Sequence, residues 1–148
     1  METLTAVLKT MKTRALADAA FVASGDGLIL DAISDNGIPL DSIAAYAAGS
    51  VSVSERMGED ARLGVPQSVI HLYANKTLMI APLGPALVVL VGNGRSQLGM
   101  MRVQLQSGLP DLQAALQRDL FGTTPEEAAT NGHVPAAENL GAMLAAAG

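Results

Sequence analysis

The stretch ALVVLV at residues 86–91 is apolar at every position, and it constrains the fold more than any other feature of the sequence. A strand without polar side chains has no face to offer to water, so it must lie in the middle of a sheet that is covered on both faces. Turn-forming residues bound the run at 82–85 and at 92–94. The sequence therefore predicts a sheet that is packed between two layers.

Four further segments have the pattern of strands. Residues 19–24 and 28–34 flank Gly25-Asp26-Gly27, which predicts a hairpin because glycine tolerates positive φ. Residues 67–74 and 77–81 are separated by a short turn and predict a second antiparallel pair. With residues 86–91 they make a five-stranded antiparallel sheet.

Helical spacing of apolar residues predicts three helices. One covers 3–17, a second covers 42–62 with Asp41 as its N-cap, and a third follows Ser96. We expect Gly108 and Pro110 to kink or break the third helix. The predicted order is α-β-β-α-β-β-β-α, an α+β sandwich with one long helix on one face of the sheet and two on the other.

Composition narrows the class of protein. Only 16% of the residues are charged, where about 25% is usual, and a small domain with excess apolar surface is well served by a second subunit. The absence of cysteine excludes disulfide scaffolds and thiolate zinc sites. A net charge of −5 and only two Tyr and two Phe oppose nucleic-acid binding. Without a signal peptide or a sufficiently long apolar run, we expect a cytoplasmic protein with no membrane insertion.

The helix predicted over 42–62 has an unusual division of side chains. One face is mostly apolar, and we expect it to pack on the sheet: Ile43, Tyr46, Ala47, Ser50, Val51, Val53, Met57 and Ala61. The opposite face carries small residues and then charged ones: Ala44, Ala45, Ala48, Gly49, Ser52, Glu55, Arg56, Glu59 and Arg62. Small residues let two helices approach closely, so this face is the predicted subunit contact, unless it only reflects the abundance of alanine. The charged end either pairs across an antiparallel dimer or is an ordinary solvated face.

Few other residues are candidates for chemistry. His71 shares a strand face with Val69 and Tyr73 and has no companion ligand for a metal. We expect it to be a strand residue that is either partly buried or at an interface. If it lies on the edge that joins two subunits, its protonation would make dimerisation sensitive to pH. The glycines at 92–94 lack the third glycine and the lysine of the phosphate-binding motifs. Asp26, Asp31 and Asp35 lack calcium-loop spacing. The sequence predicts no catalytic residue, cofactor or metal.

Three segments together resemble the roadblock/dynein light-chain superfamily. They are AAFVASGDGLILDA at 19–32, the small-residue helix at 42–62, and ALVVLVGNGRSQLGMMRVQL at 86–105, where Leu98-Gly99 opens the last helix. The resemblance covers about 3–121. The sequence is therefore divided into a roadblock-like domain, of the profilin-like type, at 1–121, followed by a linker and a marginal C-terminal helix at 122–148.

The resemblance implies a non-enzymatic partner of small Ras-like GTPases. It also implies a homodimer that joins third strands edge to edge, with the second helices side by side. The leading prediction is thus a homodimeric regulator that binds the switch region of a small Ras-like GTPase. The alternative is a structural dimerisation module in a larger motor or signalling complex, with no effect on GTP turnover. Arg95 is the arginine placed best to touch the GTPase, although a solvated loop residue is the simpler interpretation.

Overall fold

A computed structural model of the protein describes residues 2–94 and 97–121. The elements follow the predicted order. The helices are α1 (Leu4–Ala15), α2 (Leu40–Asp60) and α3 (Leu98–Phe121), and the strands are β1 (Ala19–Ser24), β2 (Ile29–Ser34), β3 (Val69–Leu72), β4 (Thr77–Leu83) and β5 (Ala86–Gly92). The predicted linker and C-terminal helix at 122–148 lie outside the described residues.

The five strands form one antiparallel sheet in the order β2-β1-β5-β4-β3. Every residue of β5 is buried, as the apolar run predicts for a central strand. One core lies between the sheet and the pair α1 and α3, and the other lies between the sheet and α2. The two cores use alternate residues of the strands, because successive side chains point to opposite faces of a sheet. This confirms the predicted fold class.

The long connection between β2 and β3 places β3 at one edge of the sheet, while β2 forms the other edge. Helix α2 makes this connection, crosses the sheet on the way and contacts all five strands. Among the described residues, the outer edges of β2 and β3 therefore have no neighbouring strand. The edge of β3 is the one that follows α2 in the chain.

Two local predictions are wrong. Asp41 is not the N-cap of α2, because Pro39 occupies that position, so Asp41 lies in the first turn, where a carboxylate favours the helix dipole. Helix α3 continues through Gly108 and Pro110, so of the predicted kink or break the break is wrong and the kink stays a prediction. A Cβ on Gly108 would lie 2.8 Å from the Met11 sulfur, so the glycine permits the close packing of α3 on α1, which favours a continuous helix there.

Candidate subunit interface

Helix α2 packs on the sheet through its small residues rather than its large ones. Ala44 is fully buried and Ala48 is 7% exposed, and Ala47 and Val51 complete the buried face. The approach is close: a Cβ on Gly27, in the β1–β2 turn, would lie 2.9 Å from the Ala45 Cα. The prediction that Ala44 and Ala48 belong to an outward small face is therefore wrong.

Ala47 and Val51 are buried against the sheet as predicted, but the larger residues of the predicted apolar face lie on the outer side of α2. Tyr46 is 81% exposed, Val53 67% and Met57 53%. Together with the half-buried Ile43 and Ser50, these residues are spaced alternately three and four positions apart. This is the spacing of the apolar residues where two helices pack along each other. We call Ile43, Tyr46, Ser50, Val53 and Met57 the α2 seam. Large apolar side chains aligned along one exposed helix face are typical of an interaction surface.

The edge of β3 is also open within the part of the chain that the structure describes. The Tyr73 N–H donates to the Lys76 carbonyl at 2.9 Å, so these two residues form a hydrogen-bonded pair. Hydrogen-bonded pairs occur at every second position of an antiparallel ladder, so His71 and Leu78 form the next one. The backbone N–H and C=O groups of His71 therefore point toward β4. The N–H and C=O groups of Ile70 and Leu72 consequently point away from β4, toward the free edge. No charged side chain interrupts VIHL, so nothing in the strand itself opposes pairing.

The opposite edge of the sheet is guarded. The Asp35 N–H donates to the Asp18 carbonyl, so these residues form a hydrogen-bonded pair beside β1 and β2. Because such pairs occur at every second position, the N–H of Ala32 on β2 points outward, away from β1. The Asp31 carboxylate accepts this N–H at 2.8 Å and also accepts the Thr5 hydroxyl of α1 at 2.6 Å. An edge that carries a carboxylate on its free N–H resists pairing with another strand. This role of Asp31 was missed, because its partner Thr5 lies 26 positions away in the sequence.

A direct contact joins the α2 seam to the open edge. The Ser50 Oγ and the His71 Nε2 lie 2.8 Å apart, within hydrogen-bonding distance. The His71 ring stacks on Tyr73, with centroids 6.0 Å apart and an angle of 8° between the planes. Beyond them, Tyr46 and Tyr73 help to line an apolar hollow of about 390 Å³. Helix and strand edge thus form one continuous surface.

The remaining predicted interface residues lie further along α2 or inside the fold. Val69 packs into the core beneath α2, although it keeps partial exposure. Glu55, Arg56 and Glu59 border a groove of about 400 Å³ between α2 and the β4–β5 turn, and Ser52 lines the same groove. The Arg56 Nε lies 3.9 Å from the Asp60 carboxylate, a distant and exposed ion pair. Ala45 and Gly49 are exposed on the side of α2 between this groove and the seam.

The loop after β5 is organised by backbone contacts. The Thr77 hydroxyl donates to the Gly94 carbonyl at 3.1 Å, and the Asn93 N–H donates to the Gln97 side chain at 3.1 Å. A Cβ on Gly92 would lie 2.5 Å from the Met101 sulfur, which explains this glycine by packing. Arg95 lies outside the described residues, and its predicted contact stays a prediction.

Each of the three aspartates considered for calcium has a structural partner of its own. Asp26 accepts from Ser24 in the hairpin turn, Asp31 holds Thr5, and Asp35 pairs with Lys12 at 2.9 Å. Within residues 2–94 and 97–121, no group of three acidic or histidine side chains could hold a metal ion. No helix in this part of the chain is long and apolar enough to cross a membrane.

Sheet order, the two layers and the open β3 edge define a domain of the profilin-like class. A family model for the Roadblock/LC7 domain matches residues 4–93, and the chain belongs to this family. The match confirms the resemblance, although it ends before Leu98-Gly99 and so leaves the last of the three segments partly outside. None of the curated proteins matches the chain as a relative.

Solved structures support the same fold. MglB from Myxococcus xanthus is 20% identical, with 74% of this chain and 91% of that one covered and a TM-score of 0.69. The gliding protein MglB from Thermus thermophilus is 20% identical, with 76% and 87% covered and a TM-score of 0.67. A Roadblock/LC7 domain from Streptomyces avermitilis is 19% identical, with 75% and 98% covered and a TM-score of 0.61. At these identities the likeness is one of fold.

Proposed function

We propose that the protein is a homodimeric, non-enzymatic regulator of a small Ras-like GTPase and acts by binding the switch region of that GTPase. Membership of the Roadblock/LC7 family supports the regulatory role. The observation that carries the dimer is the continuous surface formed by the α2 seam and the open β3 edge, joined at Ser50 and His71. The GTPase brings the nucleotide, the magnesium and the chemistry, and this protein contributes contacts.

The backbone of β3 defines the register of the proposed pairing. A twofold axis makes the two edge strands antiparallel, and their outward groups belong to Ile70 and Leu72. All of these groups form hydrogen bonds when Ile70 lies opposite the partner subunit's Leu72 and Leu72 lies opposite the partner's Ile70. His71 then faces the partner subunit's His71 across the axis, as a pair without mutual backbone hydrogen bonds.

The α2 seam is nearly symmetric about Ser50, which lies at the same axis. If Ser50 of one helix meets the partner's Ser50, antiparallel packing places Ile43 level with the partner's Met57. Tyr46 then lies within one residue, or about 1.5 Å along the axis, of the level of the partner's Val53. Large side chains then cover each other, while the small Ser50 marks the point of closest approach. Because Ser50 contacts His71 within one chain, the centre of the helix seam and the centre of the strand pairing coincide. The spacing of side chains along α2 and the backbone hydrogen bonding of β3 therefore support the same twofold axis.

The paired helices would offer the GTPase a surface that neither subunit has alone. The dimer buries the α2 seam. The surface left for the GTPase is the charged C-terminal half of α2 with the β4–β5 turn, where Glu55, Arg56 and Glu59 border the groove. If the GTPase binds this surface more tightly in one of its switch conformations, binding shifts the GTPase toward that conformation. The size of the shift equals the difference in binding free energy between the two conformations.

A binding measurement with the Ras-like GTPase of the same organism tests the proposal. Titration calorimetry should give a complex with the GTPase loaded with a non-hydrolysable GTP analogue and much weaker binding with GDP. Arg56→Ala together with Glu59→Ala should weaken that complex, whereas the charge-matched pair Lys9→Ala on α1 and Asp111→Ala on α3, both exposed, should not. Equal affinity for both nucleotide states would contradict regulation and favour a structural dimerisation module.

The contribution of Arg95 needs its own measurement. Arg95→Ala should lower stimulated GTP hydrolysis by the roughly 10³-fold or more that characterises an inserted arginine, if Arg95 acts as one. Unchanged turnover with the variant would remove Arg95 from the mechanism and leave the binding proposal intact.

A further inference from the structure

We infer that the two His71 side chains of the dimer form a proton-sensitive contact on the twofold axis, which weakens the dimer in acid. The inference rests on the dimer proposed above and adds a regulation of that same interface. It begins from the backbone register of β3, which places His71 opposite its own copy.

The register brings the two imidazoles close together. In a pair of facing residues without mutual backbone hydrogen bonds, the Cβ atoms lie about 4.5–5.5 Å apart on the same face of the sheet. His71 belongs to the face beneath α2, as its contact with Ser50 shows. The ring is also held in place, because Ser50 contacts Nε2 and Tyr73 stacks on one side. Two imidazoles held in this way cannot turn far from each other.

The surroundings of His71 offer little to neutralise a charge. Ser50 on α2 is uncharged, and Leu78 faces His71 from β4. In the described part of the chain, the ionisable groups around this edge are the phenols of Tyr46 and Tyr73 and the ammonium of Lys76, which already pairs with Asp18. Glu55, further along α2, lines separate grooves beside the β4–β5 turn. No hydrogen bond or ion pair joins His71 to a described carboxylate.

The direction of the pH effect follows from the two states. Separate subunits take up a proton on each imidazole independently, whereas in the dimer uptake of the second proton brings two positive charges together at the axis. The dimer therefore binds protons less readily than the separate subunits, and acid favours dissociation. Two unit charges about 5 Å apart repel by about 1 kcal/mol with the screening of water and by about 3 kcal/mol at an effective dielectric constant near 20. The dimer can instead keep one imidazole neutral, which limits the effect. We expect the dissociation constant to rise roughly threefold to sixfold at about pH 5.5.

The net charge of the protein predicts the opposite dependence of the dissociation constant on pH, so the contribution of His71 can be distinguished by its direction. The net charge is −5 at neutral pH and the isoelectric point is close to 4.8. Acidification from about pH 8 to about pH 5.5 reduces this net charge and with it the repulsion between subunits. Without His71, the dimer should therefore tighten slightly over the same range.

Sedimentation velocity over a concentration series tests the inference, at about pH 8 and about pH 5.5 and at one ionic strength. The dissociation constant of the wild-type dimer should rise roughly threefold to sixfold at the lower pH. His71→Gln should abolish this rise, and His133→Gln, which removes the other histidine, should keep it. Circular dichroism at both pH values should show that each variant is folded.

The possible failures are distinguishable. A monomer at both pH values would overturn the dimer and the inference with it. A dimer whose dissociation constant does not rise in acid, or whose rise survives His71→Gln, would overturn the inference and leave the proposed function standing.

Discussion

Val53 gives the most direct test of the proposed interface, because it separates the α2 seam from the folding of the subunit. The side chain is 67% exposed on the outer side of α2, so its truncation should leave the core untouched. In the proposed dimer it packs against Tyr46 of the other subunit and loses its contact with water. Val53→Ala should therefore weaken the dimer without changing the stability of the separate subunit.

The expected magnitude follows from the exposed fraction. Burial contributes about 0.8 kcal/mol for each methylene-sized group, and Val53→Ala removes two such groups. Scaled by the 67% of the side chain that is free to be buried, the loss is about 1 kcal/mol for each subunit. The substitution occurs twice in the dimer, so the free energy of association should fall by about 2 kcal/mol, or about thirtyfold in the dissociation constant.

Sedimentation equilibrium at several concentrations measures this change. Val103→Ala is the matched control, because Val103 is 55% exposed on α3, on the opposite face of the sheet from α2. The control should leave the dissociation constant unchanged. If Val53→Ala and Val103→Ala behave alike, the seam is not the contact. A bulky residue at Ala48 cannot replace this test, because Ala48 packs against the subunit's own sheet and its enlargement would disturb the fold.

Two further substitutions test the guarded edge and the end of α2. Asp31→Ala should free the outward N–H of β2 and add species larger than the dimer in size-exclusion chromatography with light scattering, whereas Asp35→Ala, which only loses an ion pair with Lys12, should not; an unchanged elution profile for both would contradict the guarding role. Gly58→Ala should lower the free energy of unfolding by about 1–3 kcal/mol or more, because its Cβ would lie 2.2 Å from the Gly64 carbonyl oxygen. Gly99→Ala, whose Cβ meets nothing within 4 Å, should be neutral or stabilising in the same denaturant titration; equal effects of the two would refute the packing argument.

Local patterns in the sequence were sufficient for the elements and their order. The wholly apolar run at 86–91 requires a central strand, and Gly25-Asp26-Gly27 requires a turn, since both conclusions depend on a few neighbouring residues. The same holds for the antiparallel pairing, because short turns can join strands in no other way. These features are properties of short stretches of chain, and tertiary packing did not alter them.

The orientation of α2 was decided by tertiary structure alone. Its sequence carries two stripes, one of small residues and one of large apolar residues, and periodicity detects both without ranking them. Hydrophobicity favours burying Tyr46, Val53 and Met57, but the sheet accepts Ala44 and Ala48 instead, since only small side chains let the helix approach the β1–β2 turn so closely. The large stripe is left exposed and available to another chain.

The sequence by itself determined that this chain forms a five-stranded sheet between helices and has more apolar surface than one small domain usually covers. Only the tertiary structure decided where that surface lies, because the open β3 edge, the guarded β2 edge and the contact between Ser50 and His71 each join residues that are distant in sequence. Periodicity describes how one element divides its own side chains between two faces. Which face meets the core depends on the shape of the other elements, and no single segment contains that information.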